Sequence, residues 1–252
     1  MNAIDPYHFH PELRGKIKPA ADSFFRDMDL AAVDEQVAEA GFPSDWRTPC
    51  DDREADRREW LEGHRDQDLW IFAYGSLIWD PSVEFDEVRV ARCEGFQRSF
   101  CLWDDGGRGS VDEPGLMLAI DEGGCCEGVA FRIPKEKIEQ ETFVLFRREM
   151  LMPVYRPAWL ELQTGAGPVT GLAFVANRDH KDIRPGLPMD QKARMIAHAS
   201  GFLGSNFDYL EELSERLVLL GINDPYVATL LDATKDERQS AWRPMKHVVT
   251  TA

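Results

Sequence analysis

Apolar and polar positions along this chain fall into three regimes. The first 66 residues are mostly polar, with two short stretches of helical periodicity around Asp29–Ala40 and Arg53–Gly63. From Asp68 to about Leu162 the apolar residues come in short runs rich in aromatic and β-branched side chains. Trp70–Tyr74, Val88–Arg92, Phe96–Trp103, Gly115–Ile120 and Glu127–Ile133 therefore predict strands. Asp104-Asp105-Gly106-Gly107 and Asp121-Glu122-Gly123-Gly124 predict turns between them. The period then lengthens. Pro134 suits a first helical turn, and KEKIEQETFVLFRREM from Lys135 predicts a helix ending before Pro153. A strand pair over Ala158–Leu162 and Val169–Ala176 follows, across a turn at Thr164–Pro168. In the last third, Phe207, Leu210, Leu213, Leu217 and Leu220 mark one apolar helical face, with Ser205 or Asn206 as the cap and Gly221 as the stop. Asp224-Pro225 opens a final helix bearing Val227, Leu230 and Leu231. The pattern divides the chain into an acidic, partly helical N-terminal extension (1–66), a body (67–232) and a C-terminal tail (233–252).

Composition narrows the partners. A chain of 252 residues can bury a substantial core without disulfides or metals. Its net charge of −16 argues against nucleic acid and anionic membranes as partners, because both would be repelled over most of the surface. The extension carries 16 acidic against 9 basic residues. Five cysteines (Cys50, Cys93, Cys101, Cys125, Cys126) make no C-x-x-C pair and no zinc-spaced set, so a reducing compartment is expected. Nothing near Met1 has the basic start and apolar stretch of a secretory signal, and no run is long enough to span a bilayer. The expectation is a cytoplasmic protein without a membrane partner.

Two places stand out chemically. Trp70–Tyr74 suits a strand covered on both faces, and Gly75-Ser76 directly after it permits a sharp turn. Such a turn can aim several N–H groups into one concavity, where they bind an anion or a carbonyl oxygen gaining charge. An ordinary strand end closed by a small residue fits the same letters. Glu149 is the second place, since on a helix it shares a face with Ile138, Thr142 and Leu145. Burial and the negative end of the helix dipole would both raise its pKa toward the range useful to an acid or base. A structural ion pair with Arg147, Arg148 or Arg156 is the competing reading. Arg108, held between glycines in GGRGS, either reaches a substrate carboxylate or is a solvated turn residue. GGRGS lacks phosphate-loop spacing, Ser76 lacks the G-x-S-x-G setting, and the histidines, His8 and His10 included, form no H-E-x-x-H or triad pattern. Tyr74 and Tyr155 read as core residues with tethered hydroxyls.

Several strings in order carry a family resemblance: FAYGSLIWDP from Phe72, GRGS followed by PGLMLAI, CEGVAFRI from Cys126, LFRREM from Leu145 with Tyr155 beyond it, and ASGFLGSNFDYL from Ala199. Together they resemble the ChaC-type glutathione-specific γ-glutamylcyclotransferases over roughly Asp68 to Asp232. Met152-Pro153-Val154 departs from the pattern, standing where many relatives have a Gly-containing segment between the glutamate and the tyrosine. The resemblance implies an α+β fold, a small mixed β-barrel of the γ-glutamylcyclotransferase type flanked by helices, with residues 67–232 as the catalytic domain. It implies cleavage of glutathione, the small-molecule partner, to 5-oxoproline and cysteinylglycine without metal or organic cofactor. Carried over by position, Ala73, Tyr74, Gly75, Ser76, Leu77 and Ile78 would form the substrate loop and Glu149 would accept the proton, with Arg108 and Tyr155 as further substrate contacts.

Overall fold

A computed structural model describes residues 5–241 except 40 and 42. Five strands, β1 (Leu69–Ala73), β2 (Glu87–Asp104), β3 (Gly115–Ile133), β4 (Tyr155–Thr164) and β5 (Gly167–Ala176), close into a barrel in the order β1-β3-β2-β4-β5. All neighbours are antiparallel except β1 and β5, whose parallel pairing (Trp70 with Gly171, Ile71 with Leu172) seals the barrel. The barrel is therefore mixed, as the resemblance implies. β1 has a neighbour on each edge, and Ile71, Phe72 and Ala73 are at most 1% exposed, which is why its sequence runs apolar without alternation. Phe72, Phe100, Phe131, Phe146 and Phe174 are fully buried in and around it.

The expected strand breaks need one correction. Asp121–Gly124 is not a turn but lies inside β3, and the runs expected on either side of it form one strand of 19 residues paired along the 18 residues of β2. The ladder slips between Glu94 and Phe96, where Gly95, Gly123 and Gly124 all take positive φ. Glycine adopts that conformation without steric cost, so the residues that signal a turn instead build an irregularity that bends a continuous ribbon. Beyond the bend, the outer half of the ribbon leads into the Gly106–Ser110 turn.

Helices pack around this body. In the extension, α1 (Leu30–Glu39) and α2 (Cys50–Trp60) fall where the two periodic stretches are. Three residues of the extension, Leu13, Ile17 and Leu61, join the same core as the barrel. The helix expected from Lys135 starts with a 3₁₀ turn and continues as α3 (Ile138–Glu149). Met152-Pro153-Val154 forms the bend that follows it, and Tyr155 then opens β4. α4 (Met189–His198), a two-residue hairpin of β6 (Ser200–Gly201) and β7 (Gly204–Ser205), α5 (Asn206–Leu219) and α6 (Pro225–Ala241) complete the chain. The Ser205 hydroxyl caps α5 through Asp208 N–H, and Asp224 caps α6 through Tyr226 and Val227 N–H. α6 continues past Asp232, where the tail was expected to begin, and 242–252 lie outside the described residues. Among the described residues no helix is long and apolar enough to cross a membrane.

Arg57 fastens α2 to α3. Its side chain, 1% exposed, donates to both Glu54 oxygens at 2.7 Å, to Thr142 Oγ1 at 2.8 Å and to the Glu139 carboxylate. Arg57→Ala removes the donor to the buried Thr142 hydroxyl, which keeps only its bond to Ile138 O, leaves the Glu139 carbonyl and carboxylate without this partner and opens a void, so it is expected to cost about 2–4 kcal/mol. A lowered urea midpoint with an unchanged denaturant slope checks this.

Candidate active site

The chain leaves β1 at Ala73 and turns at Gly75 into a 3₁₀ turn over Ser76–Ile78. Ala73, Tyr74, Leu77 and Ile78 bury their side chains. These residues therefore face the turn mainly through their backbone. Ile78 N–H already donates to Gly75 O, whereas the N–H groups of Ser76 and Leu77 open the turn and have no acceptor within it. A Cβ at Gly75 would lie 3.2 Å from Leu118 Cδ2 and 3.3 Å from the Tyr209 hydroxyl, so any side chain there crowds both. The Tyr74 hydroxyl donates to Phe174 O, tethering the turn to β5.

α3 delivers Glu149 from a distant part of the chain. Its side chain is 13% exposed and pairs with Arg148 Nε at 3.0 Å. Desolvation raises the Glu149 pKa and the Arg148 charge opposes it, with desolvation the larger effect. Both sequence readings of Glu149 thus hold at once, the buried carboxylate and the ion pair. Arg148, itself 6% exposed, also donates to Ser76 Oγ at 2.9 Å, to Ser82 Oγ at 2.6 Å and to Asp80 O. One guanidinium therefore joins the turn after β1 to the carboxylate at the end of α3.

Three tyrosines surround the pair. Tyr155, from the start of β4, donates to Leu118 O at 2.8 Å. Burial raises the pKa values of Tyr74, Tyr155 and Tyr209, and the nearby Glu149 charge pushes each the same way, so all three remain protonated donors at neutral pH. Arg108 enters from the other side. Its guanidinium lies 5.4 Å from the centroid of the Tyr209 ring and donates to Ser205 O at 3.2 Å, while its buried Nε has no hydrogen-bond partner in the protein. The Gly75 turn, Glu149, Tyr155 and Arg108 are thus brought around one centre, with Arg108 reaching it through Tyr209.

Two further side chains hold the site together. Tyr209 stands in NFDYL on α5, and its signal was a polar-tipped ring at i−4 from core residue Leu213. Asn206 sets the position of that helix by exchanging two 2.8 Å bonds with the backbone of Leu116. The second is Arg98, whose side chain is 1% exposed and which donates to Tyr74 O at 2.9 Å while pairing with Asp224. No local pattern distinguishes it from the other arginines of β2.

The ChaC-like protein family model matches residues 69–237. The chain is 40% identical over 168 residues to the glutathione-specific gamma-glutamylcyclotransferase of Escherichia coli, covering 66% of this chain and 73% of that one. It is 32% identical over 181 residues to glutathione-specific gamma-glutamylcyclotransferase 1 of Rattus norvegicus, covering 69% and 81%. Among solved structures, a yeast gamma-glutamyl cyclotransferase specific to glutathione superposes with a TM-score of 0.64 at 21% identity, covering 69% of this chain and 98% of that chain, which shows a shared fold. With the family model covering the whole barrel and the helices that carry Glu149 and Tyr209, the chain belongs to the ChaC-like family.

Proposed function

We propose that this protein is a glutathione-specific γ-glutamylcyclotransferase, which converts reduced glutathione to 5-oxoproline and cysteinylglycine. The observation that carries the reading is the Arg148 bridge, which sets a desolvated carboxylate beside a turn with free N–H donors. Two relatives named for this activity, at 40% and 32% identity, support it.

The γ-glutamyl group carries its own nucleophile, so the chemistry asks for proton transfer and conformational control. The substrate α-ammonium passes a proton to Glu149. A raised carboxylate pKa narrows the gap between donor and acceptor, while Arg148 keeps a fraction ionised to act as base. The freed amine attacks the γ-carbonyl carbon, and the Ser76 and Leu77 N–H groups, which have no acceptor within the turn, bind the oxygen as it gains charge. Collapse of the tetrahedral intermediate breaks the C–N bond to cysteine as the Glu149 proton passes to the departing nitrogen, and the ring nitrogen sheds its second proton, which ends on the released cysteinylglycine amine. A substrate held curled gains from effective molarities of about 10⁵–10⁸ M, so fixing that conformer supplies much of the rate. The Tyr209 hydroxyl, whose proton is not already given to a backbone carbonyl, and Arg108 are donors for the substrate's α-carboxylate.

Incubating the purified protein with reduced glutathione and detecting 5-oxoproline and cysteinylglycine by mass spectrometry tests the reading directly; intact glutathione after prolonged incubation would refute it. Parallel assays with γ-glutamyl dipeptides separate glutathione specificity from a broader cyclotransferase. Glu149→Gln is expected to lower kcat by about 10²–10⁴-fold with KM little changed, measured by steady-state release of 5-oxoproline. Gly75→Val drives a side chain into Leu118 and the Tyr209 hydroxyl, and is expected to raise KM for glutathione.

Glu149 also makes stability depend on pH. Its folded pKa is raised, so the native state holds this proton more tightly than the unfolded chain, whose value is about 4.3. Its contribution is therefore fully present below that value and lost as pH rises through the folded pKa. Glu149→Gln cannot lose a proton, so its stability relative to the parent should increase from pH 4 to pH 8, read from denaturant midpoints at both pH values.

A further inference from the structure

The family match begins at residue 69, yet a segment well before it lies against the site. Lys18 N–H donates to Trp79 O at 2.8 Å, and Lys18 Nζ reaches Asp80 at 2.9 Å. Ser23 and Ser82 join hydroxyls at 2.8 Å, both side chains buried. Arg26 then pairs through two nitrogens with Glu141, a residue 1% exposed, while Arg147 Nη2 donates to Phe25 O at 3.0 Å and to Arg26 O. These anchors stand on both sides of Phe24-Phe25. Phe25 consequently has a fixed place, its ring centroid 4.1 Å from the Arg148 guanidinium that binds Ser76 and Glu149.

Phe24 extends the same wall. Its ring centroid lies 6.1 Å from that of Phe202, and the two rings remain 50% and 65% exposed. Phe202 sits at the tip of the β6–β7 hairpin, whose residues donate to Gly106 O and Gly107 O and whose Ser205 O accepts from Arg108. The two rings thus meet from opposite sides, one beside the Arg148 bridge and one beside the Arg108 turn. Large apolar faces left in water at such a place gain free energy when a bound molecule covers them.

We propose that residues 18–26 form the outer wall of the substrate site, with Phe25 positioning Arg148 and the Phe24–Phe202 ring pair bordering the leaving-group half of the substrate. This rests on the glutathione reading above. With the γ-glutamyl end at Glu149 and the Gly75 turn, the cysteinylglycine end points outward, toward the two rings. An aromatic face over the guanidinium holds it in the plane that serves Ser76 and Glu149 and keeps water from its open side.

The test uses the full chain. Phe25→Leu keeps apolar volume but removes the ring, and is expected to lower kcat by about 5- to 30-fold with KM nearly unchanged. Phe25→Tyr restores the ring face and is expected to recover kcat to within about two-fold of the parent. Equal kcat in the parent and both variants, or losses that simply follow thermal stability, would overturn the positioning role. Phe24→Ala and Phe202→Ala should each raise KM for glutathione by about 3- to 10-fold, with the double variant no worse than either single. Neither should change inhibition by 5-oxoproline, the product that carries no leaving-group half. Independent additive losses on glutathione, or an equal loss of 5-oxoproline affinity, would overturn the ring-pair assignment. If the parent releases 5-oxoproline from no γ-glutamyl substrate, the functional reading fails by itself. The wall is then judged by amide hydrogen exchange in Phe25→Ala: faster exchange at Ser76–Asp80 upholds it, and unchanged exchange overturns it.

Discussion

The buried guanidinium of Arg148 is the interaction on which the site depends. A cation removed from water is costly unless its donors are satisfied, and the satisfied donors here are shared among separate pieces of chain. They reach the Ser76 and Ser82 hydroxyls, the Asp80 carbonyl and the Glu149 carboxylate. Moving the 76–82 loop or unwinding the end of α3 would strand a charge in a nearly dry place. The same side chain opposes the desolvation that raises the Glu149 pKa, so position and protonation of the carboxylate share one physical origin.

The barrel makes that arrangement rigid. Parallel closure of β1 against β5 covers both edges of the short first strand, so the turn after it leaves a scaffold without a free edge. Tyr74 ties the turn to β5, Tyr155 ties β4 to β3, and Asn206 ties α5 to β3. Each bond ends on a backbone carbonyl or N–H of a barrel strand. Side chains brought from four remote parts of the sequence thereby acquire fixed mutual positions, which is what proton transfer and a curled substrate require.

The extension belongs to this architecture as well. Its acidic character suggests a solvated arm, and most of its charges do face water. The exceptions decide its role: Arg57 is buried and Arg26 partly buried against α3, and Leu13, Ile17 and Leu61 share the barrel's core. A net count of 16 acidic against 9 basic residues says nothing about which few of them are paired internally.

Local patterns were enough to locate most elements. The run Trp70–Tyr74 read as a buried strand, the Phe207–Leu220 stripe as a helix face and the caps at Ser205 and Asp224 as helix starts, because propensity, periodicity and capping act over a few residues. Where glycines served two purposes, the reading failed: Asp121–Gly124 has turn composition, yet pairing across to Gln97 and Phe96 keeps it in β3. Glu149 was visible as an acid on an apolar face, but not the tie through Arg148 to Ser76, since those residues stand 72 positions apart. The sequence by itself determined the strands, the helices, the sharp turn at Gly75 and the family signature. Only tertiary structure decided that the turn, the carboxylate, Tyr209 and Phe25 share one place, because a local pattern records which way a side chain faces and not what it meets there.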